Sequence, residues 1–428
     1  MRIVADLHTH SRFSRATSDR MNIDEIARFA GVKGLNIVGT GDFTHPLWLK
    51  ELREKLVEEP GAGLYKVFKN PQLALRFMIT AEVCTIFDFK GEYKKVHHVI
   101  LVPSIEVAAQ VNDRLADYGN LAADGRPTLN VNASQLVEEV MSVSSANMLF
   151  PAHAWTPWFG VLGAFSGFDS VEDCYQDMTR HIHALETGLS SDPPMNWRLS
   201  KLDRFALLSN SDCHSFWPWR LGREANVFEM DKANYRGVLD AIRNKDKSHF
   251  KFTIETDPAY GKYHWTGHRN CNVSLSAQES IKLGNICPVC RKKLTKGVEQ
   301  RVEELADRPA GFRPESAIDF KRLLPLSEVI MAVLGVDSPS VQKVWNIYNS
   351  LTTRFGTELE VLTEASKDEM VKVVDENVAD AVINVRSGQV RVAPGYDGVY
   401  GKLMLSPNGV TEGILPKRVL QSNLHDFL

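Results

Sequence analysis

The chain has 428 residues, of which 43% are hydrophobic and 24% charged, a composition typical of a globular protein large enough for two or three domains. Its net charge of −3 excludes a global basic field for nucleic acid but leaves room for a local basic groove. No apolar run approaches the roughly 20 residues of a membrane span, and the N-terminus lacks the apolar core of a signal peptide. We therefore expect a cytoplasmic protein with no membrane partner.

Short apolar segments alternate with amphipathic segments over the first 255 residues or so, which predicts an α/β barrel or sheet. The first predicted helix, NIDEIARFAGVKG, has a capping box of Asn22 and Glu25 at its start and Gly34 at its end. The strand candidates, in chain order, are IVADLH, LNIVGTG, LRFMITAEV, HHVILVP, NMLFPAHA, IHALETG and RFALLSNSDCH.

Residues that can bind metal follow or end most of these strands. His8 and His10 lie two residues apart in the first strand and so share a face with Asp6. The other strand ends supply Asp42, His45, Glu82, His153, Glu186, Asp212 and His214. Catalytic groups gather at the carboxyl ends of strands in α/β folds. The set therefore predicts a metal centre.

Four further metal-binding residues form two pairs downstream. His268 and Cys271 are the first pair, and Cys287 and Cys290 follow after fifteen residues. This spacing suits tetrahedral zinc, and four protein ligands leave no open position, so we expect a structural site. His264 is the alternative fourth ligand.

The rest of the chain reads mainly as helices. The segments EQRVEELADR, FKRLLPLSEVIMAVLG, SVQKVWNIYNSLTTRFG and KDEMVKVVDENVADAVINVRSG precede a short strand, a Gly-rich turn and another strand. We predict a catalytic barrel over 1–258, a zinc-binding domain over 259–300, and a C-terminal helical region over 301–428 that ends in the Gly-rich strand–turn–strand.

Seven motifs in chain order resemble the PHP (polymerase and histidinol phosphatase) metallohydrolases: DLHTHS, TGDFTH, AEV, HHVIL, FPAHA, ALETG and NSDCHS. The resemblance implies a distorted (β/α)7 barrel with two or three metals at its mouth. The segments KYHWTGHRNC, CPVCRKKLTKGVEQRVEELADRPAGFRP and PGYDGVYGK extend it to the endonuclease Q family over essentially the whole chain.

The resemblance to endonuclease Q implies that the protein is a metal-dependent DNA endonuclease that acts in DNA repair. Such an enzyme cuts the phosphodiester 5′ to deaminated bases (hypoxanthine, uracil, xanthine) and at abasic sites, leaving 3′-hydroxyl and 5′-phosphate ends. The implied cofactor is zinc, with Mg²⁺ or Mn²⁺ as alternatives for catalysis. The implied partner is double-stranded DNA with such a lesion. Single-stranded DNA and a sliding clamp are left open, and the C-terminus has no convincing clamp-binding motif.

The resemblance also implies the ligand sets. The first metal would take His8, His10, Glu82 and Asp212. Glu82 would bridge to a second metal bound also by His153 and His98; of the neighbours His97 and His98 only one can face the site, and we prefer His98. His214 matches a third-metal ligand. Phe43 stands where the family has a histidine, so His45 is the substitute, and a third site formed with Asp42 is left open.

The residues expected to take part in catalysis are Glu82, Asp42, His153 and Asp212, with Asp212 or Asp42 orienting the nucleophile. Glu186 would orient a ligand. Two loops, HAWTPWFG and HSFWPWR, offer a base pocket made of Trp155, Trp158, Phe159, Trp217 and Arg220. The alternative is that the tryptophans pack against a neighbouring domain and that Arg220 is a solvated charge. The rival function is a PHP phosphatase for a small phosphate monoester, which would not need the zinc segment or the helical tail.

Overall fold

The structure is a computed structural model, and it describes residues 1–404. Its strands, in chain order, are β1 Arg2–Asp6, β2 Ile37–Gly39, β3 Leu56–Glu59, β4 Leu64–Val67, β5 Arg76–Phe89, β6 Glu92–Val102, β7 Thr128–Leu129, β8 Met148–Pro151, β9 Ala184–Glu186, β10 Ala206–Leu208, β11 Ala225–Glu229, β12 Phe250–Glu255, β13 Thr266–His268, β14 Val273–Leu275, β15 Asp319–Arg322, β16 Arg391–Ala393 and β17 Lys402–Met404.

The helices alternate with these strands and then dominate after β15. In chain order they are α1 Ile23–Lys33, α2 Pro46–Lys55, α3 Ile105–Leu115, α4 Ala133–Val143, α5 Val171–Tyr175, α6 Pro193–Asn196, α7 Tyr235–Arg243, α8 Ala277–Lys282, α9 Val298–Leu305, α10 Leu326–Leu334, α11 Gln342–Phe355, α12 Glu358–Thr363, α13 Lys367–Met370 and α14 Glu376–Arg386. Among the described residues no helix has the length and apolar character needed to cross a membrane.

The strands of the N-terminal part form a mixed sheet that bends toward a ring. β1 pairs with β2 in parallel and with β11 in antiparallel orientation, β2 pairs with β5, and β6 joins β5 to β8. Backbone hydrogen bonds extend the ring: Ala154 N–H donates to the Glu186 carbonyl over 2.8 Å, and His10 N–H donates to the Cys213 carbonyl over 3.1 Å. The predicted α/β fold is confirmed. The distorted (β/α)7 barrel remains a prediction; β5 and β6 form an antiparallel hairpin within the sheet.

Two apolar clusters flank the strands. Ile3, Ala5 and Leu7 alternate along β1 into one cluster, whereas Val4 joins the larger cluster against the helices. The alternation is the ordinary consequence of strand geometry. The predicted first helix has Asn22 as its N-cap, where the side chain accepts from the Glu25 N–H, and Gly34 ends it with a φ of 99°. The second half of the predicted capping box is not formed, because the Asn22 N–H donates to the Arg20 carbonyl and the Glu25 carboxylate pairs with Arg20.

The segment after residue 301 is less helical than predicted. FKRLLPLSEVIMAVLG divides into β15, which pairs in parallel with β12, and α10, because Pro325 precedes the helix and cannot continue one from before it. The single helix predicted from Lys367 is two helices, since the Asp375 side chain caps α14 by accepting from Asn377 N–H. β16 pairs with β17 around the Gly-rich turn. The domain division remains a prediction, and its last residues, 405–428, lie outside the described part.

Candidate metal centre

Two groups of potential ligands meet at one end of the strands, and they share Glu82. The first group is His8, His10, Glu82 and Asp212; the second is Glu82, His97 and His153. Within each group the ligand atoms lie within 4.8 Å of one another. Glu82 is buried on β5, with one carboxylate oxygen in each group. This arrangement suits a carboxylate that bridges two metal ions.

The spacing of the first group fits a bound ion. The His10 Nε2 atom lies 3.2 Å from Glu82 Oε2 and 3.1 Å from Asp212 Oδ1, and His8 Nε2 lies 3.5 Å and 3.7 Å from the same two atoms. Ligand atoms around a tetrahedral ion bound at about 2.1 Å lie roughly 3.4 Å apart. His8 Nε2 is buried without a hydrogen-bond partner among the described residues. A metal ion would satisfy this atom.

The second group has similar spacing. His97 Nδ1 lies 2.8 Å and His153 Nε2 lies 3.1 Å from Glu82 Oε1, and the two histidine nitrogens are 3.3 Å apart. With three protein ligands, an ion here would keep an open position for water or substrate.

Other carboxylates fix the orientation of the histidine rings. Both oxygens of Glu186 lie 3.0 Å from His8 Nδ1, and Asp42 Oδ1 lies 3.0 Å from His10 Nδ1. A carboxylate at Nδ1 holds the tautomer that leaves Nε2 free for metal. The expected role of Glu186 thus fits its placement. Asp6 instead accepts hydrogen bonds from Ser211 and Gly222 and supports the loop that carries Asp212.

Charge stabilises the ionised carboxylates. Burial alone would raise the pKa of the Glu82 carboxyl, but His97, Arg126 and His8 hold it well below its usual range. Burial likewise works against the Asp212 carboxylate, but the hydrogen bond from His10 and the charge of His8 hold its pKa well below the usual range. Metal ligands must be deprotonated, so both groups are ready to bind a cation.

Three residues of the centre have left-handed backbone. The φ angles are 50° at Asp42, 29° at His153 and 45° at Asp212. Non-glycine residues rarely adopt this region, and such strain concentrates at functional sites. The turns after β2, β8 and β10 therefore aim these side chains into the centre at some cost in conformational energy.

The prediction of His98 as the ligand is wrong. In the β5–β6 ladder, Cys84 lies opposite His97. Cys84 and Glu82 are two residues apart on β5 and point to the same face, so His97 also shares that face. His98 points to the other face, where its ring nitrogens lie 2.8 Å from the hydroxyl oxygens of Thr85 and Tyr175. Burial lowers the pKa of His98 to about 3.

His45 and His214 lie outside the two groups. The His45 ring stacks on Phe13 with centroids 4.3 Å apart, so its predicted metal contact does not fit its placement. The His214 ring stacks on His10 at 4.4 Å, and its Nε2 is 3.7 Å from Asp212 Oδ1. Asp42 is fully buried and bonded to His10, Ser11 and Ser14, so it cannot reach a nucleophile and the predicted catalytic contact is corrected to a positioning role.

Two side chains of the predicted base pocket lie at the mouth. Trp158 is 38% exposed and stacks on Phe165, and the Phe159 ring lies 4.5 Å from that of His97. Trp155 is buried and donates from Nε1 to Asn196, so a contact with a base does not fit its placement.

The other two pocket candidates contact the C-terminal helices. Trp217 stacks on Trp219 and packs on Trp345, and Arg220 pairs with Glu328 over 3.1 Å. Trp217 therefore fits the alternative interpretation, in which the tryptophans pack against a neighbouring part of the chain, whereas Arg220 is an ion-paired charge rather than a solvated one.

Sequence reasoning missed Arg126, a partly buried residue whose Nη1 lies 3.1 Å from Glu82 Oε2. It lies in the loop before β7, away from any strand end, so spacing alone could not identify it.

The second metal-binding set is His268, Cys271, Cys287 and Cys290, whose ligand atoms lie within 4.8 Å of one another. The Cys290 sulfur lies 3.3 Å from His268 Nδ1. A small apolar cluster of Val273, Leu275, Cys287 and Leu294 lies within this segment. His264 is not part of the set.

Comparison with solved structures identifies the family. The lesion-specific endonuclease PfuEndoQ from Pyrococcus furiosus superposes with a TM-score of 0.84 and 32% identity, over 97% of this chain and 98% of that one. The chain belongs to the endonuclease Q family. An endonuclease Q complex with a 27-mer duplex that has an abasic lesion at the active site matches equally well, over 97% and 99% of the two chains.

Sequence comparisons agree with this assignment. The profile of the MJ0043 C-terminal domain matches residues 325–389. The protein MJ0043 of Methanocaldococcus jannaschii is 34% identical over 269 residues, which are 60% of this chain but only 32% of that protein. The matched part of this endonuclease Q chain thus spans about a third of the length of that relative.

Proposed function

We propose that this endonuclease Q protein is a metal-dependent DNA endonuclease that incises DNA at lesions. The observation that carries the proposal is the match over nearly the whole chain to a lesion-specific endonuclease. The related complex with an abasic lesion at its active site supports duplex DNA as the substrate. A phosphatase for a small monoester is less supported, because the similarity includes the zinc-ligand segment and the C-terminal helices.

The finer chemistry follows from the family. We expect cleavage of the phosphodiester 5′ to hypoxanthine, uracil or xanthine and at abasic sites, with 3′-hydroxyl and 5′-phosphate ends. The ring of strands supports the finer fold prediction, a distorted (β/α)7 barrel with the ligands at its mouth.

The donor chemistry favours zinc or manganese over magnesium at the centre. Four imidazoles stand beside two carboxylates, and imidazole suits zinc and other transition metals, whereas magnesium prefers oxygen ligands. Two such ions, when bound, neutralise phosphate oxygens and lower the pKa of a bound water toward 7. Four protein ligands including three cysteines support a structural zinc at His268, Cys271, Cys287 and Cys290.

Residues of the chain itself would position the ligands, the attacking water and the damaged nucleotide. Glu82 sets the distance between the two groups, and Glu186 and Asp42 hold the rings of His8 and His10. Asp212, with a side chain 30% exposed, is the carboxylate of the centre that faces the mouth. It is therefore placed to orient an attacking water or the substrate. Base selection would use extrusion of the damaged nucleotide toward Trp158 and Phe159.

Incision of labelled duplexes tests the proposal. The purified protein is incubated with Zn²⁺, Mn²⁺ or Mg²⁺ and duplexes that contain one deoxyinosine, one deoxyuridine, one abasic site or no lesion. We expect a nick beside the lesion only, and its loss after chelation of the metal. The Asp212→Asn variant should lose activity by at least about 100-fold, because it removes a charged ligand.

The Asp240→Asn variant is the matched control, because Asp240 is a half-exposed carboxylate on α7 that pairs with Arg236 and belongs to neither ligand group. It should cut like the wild type. Hydrolysis of a simple phosphomonoester without any nick in DNA would contradict the proposal and favour the phosphatase.

A further inference from the structure

Arg126 is a cation set against the carboxylates of the metal centre. Its Nη1 donates to Glu82 Oε2 over 3.1 Å, and its side chain is only 24% exposed. The negative charges of Glu82 and Asp212 outweigh the burial that would lower its pKa, and they raise that pKa. The guanidinium has five N–H donors, so donors remain for a further acceptor at the mouth.

The loop that carries Arg126 is fixed to the centre. Gly125 N–H donates to the Phe13 carbonyl over 2.9 Å, and the Thr44 hydroxyl donates to the Gly125 carbonyl over 3.1 Å. A Cβ atom on Gly125 would lie 2.3 Å from Asp42 Oδ2, so only glycine allows this approach. The loop thus packs on Asp42, the carboxylate that orients His10.

A structural role alone does not account for this placement. Glu82 is already flanked by four histidine ligand atoms, and ions bound in both groups would neutralise its carboxylate. A guanidinium at the same place would then lack an anionic partner, and an incoming phosphodiester would supply one. Planar guanidinium groups bind phosphate oxygens in a bidentate manner, which ammonium groups cannot do.

We propose that Arg126 is a catalytic residue that binds a nonbridging oxygen of the scissile phosphate and stabilises the charge that grows there during cleavage. The inference rests on the proposed function. Hydrogen-bond donors that point at a developing negative charge, in a site from which water is partly excluded, increase the reaction rate by about 100-fold to 1,000-fold.

Single-turnover cleavage at saturating lesion DNA tests this role with the Arg126→Ala and Arg126→Lys variants. We expect the alanine variant to react at least about 100-fold more slowly. The lysine variant should retain part of the rate, and guanidinium ions added to the alanine variant should restore part of it. The Arg236→Ala variant is the control, since Arg236 lies on α7 with a side chain 90% exposed and should react at the wild-type rate.

The metal content of the same variants separates catalysis from positioning. If Arg126 acts on the phosphate, the alanine variant should bind as many metal ions as the wild type. The substitution removes a cation that shares the Glu82 carboxylate with the metal ions, so it should not weaken their binding. Loss of a metal ion in that variant would overturn the inference and make Arg126 a positioning residue for Glu82. An unchanged rate in that variant, with an active wild type, would overturn the inference alone. A wild type that cuts no lesion would overturn the proposed function as well.

Discussion

His97 and His98 are neighbours in sequence, but they have opposite surroundings. His97 Nδ1 lies 2.8 Å from the bridging carboxylate of Glu82, whereas His98 lies among hydroxyl groups behind the strand. The two residues therefore allow a direct comparison between a ligand and a structural histidine of the same strand.

We predict different losses for the two alanine variants. His97→Ala should bind one metal ion fewer per chain and cut at least about 100-fold more slowly, since even partners of ligands are worth 10-fold to 100-fold. His98→Ala should retain its metal ions but lose about 1–3 kcal/mol of unfolding free energy, because the Tyr175 and Thr85 hydroxyls lose a buried partner. Elemental analysis and urea unfolding measure both quantities. The reverse pattern would contradict the ligand assignment.

At the scale of elements, strand ends were predictable from the sequence because alternating segments and a polar terminus identify them. His8, His10, His153 and Asp212 follow from that pattern, whereas Glu82, predicted at a strand end, lies inside β5, which continues to Phe89. The choice between His97 and His98 depends on strand register, which the turn between β5 and β6 sets.

That turn was a usable signal. Lys90 and Gly91, with φ angles of 56° and 84°, form a two-residue hairpin turn between Phe89 and Glu92. Counting back from this pair puts Cys84 opposite His97, on the same face as Glu82. Arg126 has no such signal, because tertiary packing of its loop on Phe13 and Thr44 determines its place.

The β11–β12 ladder contains two buried carboxyl groups that face each other. Ala225 pairs with Ile254, so Glu224 lies opposite Glu255, and neither is exposed. Burial raises the pKa of Glu224, with a further contribution from the charge of Glu255, to well above its usual range. Burial raises the pKa of Glu255 to about 8.

We predict that the contribution of this pair to the free energy of unfolding falls as the pH rises from about 4 to about 8. An unfolded glutamate titrates near pH 4.3, so in this range the folded state retains a proton that the unfolded state has lost. The stabilisation is complete below the unfolded pKa and is lost as the pH rises through the folded one. The decrease approaches about 1.4 kcal/mol per pH unit for each such proton.

Urea unfolding at pH 6 and pH 8 measures this decrease. Glu255→Gln should reduce it, because the amide cannot ionise. Glu229→Gln, on the exposed end of β11, should leave it unchanged. Equal pH dependence in the wild type and the Glu255→Gln variant would contradict the assignment.

At the scale of the whole molecule, the C-terminal helices pack on the loop that follows Asp212 and His214. Trp345 of α11 lies 5.5 Å from Trp217 and 5.7 Å from Trp219, measured between ring centroids. Arg220 and the Tyr260 hydroxyl both contact the Glu328 carboxylate of α10. The region that matches the MJ0043 C-terminal domain thus stabilises a loop of the metal centre.

A buried ion pair joins the same two parts. Lys33, at the end of α1, lies 2.8 Å from Glu358 Oε1 at the start of α12, and both side chains are almost wholly buried. The Glu358 carboxylate also accepts from Leu326 N–H over 3.0 Å and from the Tyr348 hydroxyl over 2.8 Å. One carboxylate thus connects α1, α10, α11 and α12.

We predict that Lys33→Met lowers the unfolding free energy by about 3–5 kcal/mol, because it leaves a buried charge without a counterion. The Lys33→Met/Glu358→Gln double variant should recover most of this loss, since a neutral amide still accepts from Leu326 and bonds Tyr348. Arg2→Met breaks the exposed Arg2–Glu364 pair between β1 and the end of α12 and should change stability little. Urea unfolding measures the free energy of unfolding of these three variants. A double variant less stable than Lys33→Met would show that the Glu358 charge itself, rather than its hydrogen bonds, stabilises the contact between α1 and the C-terminal helices.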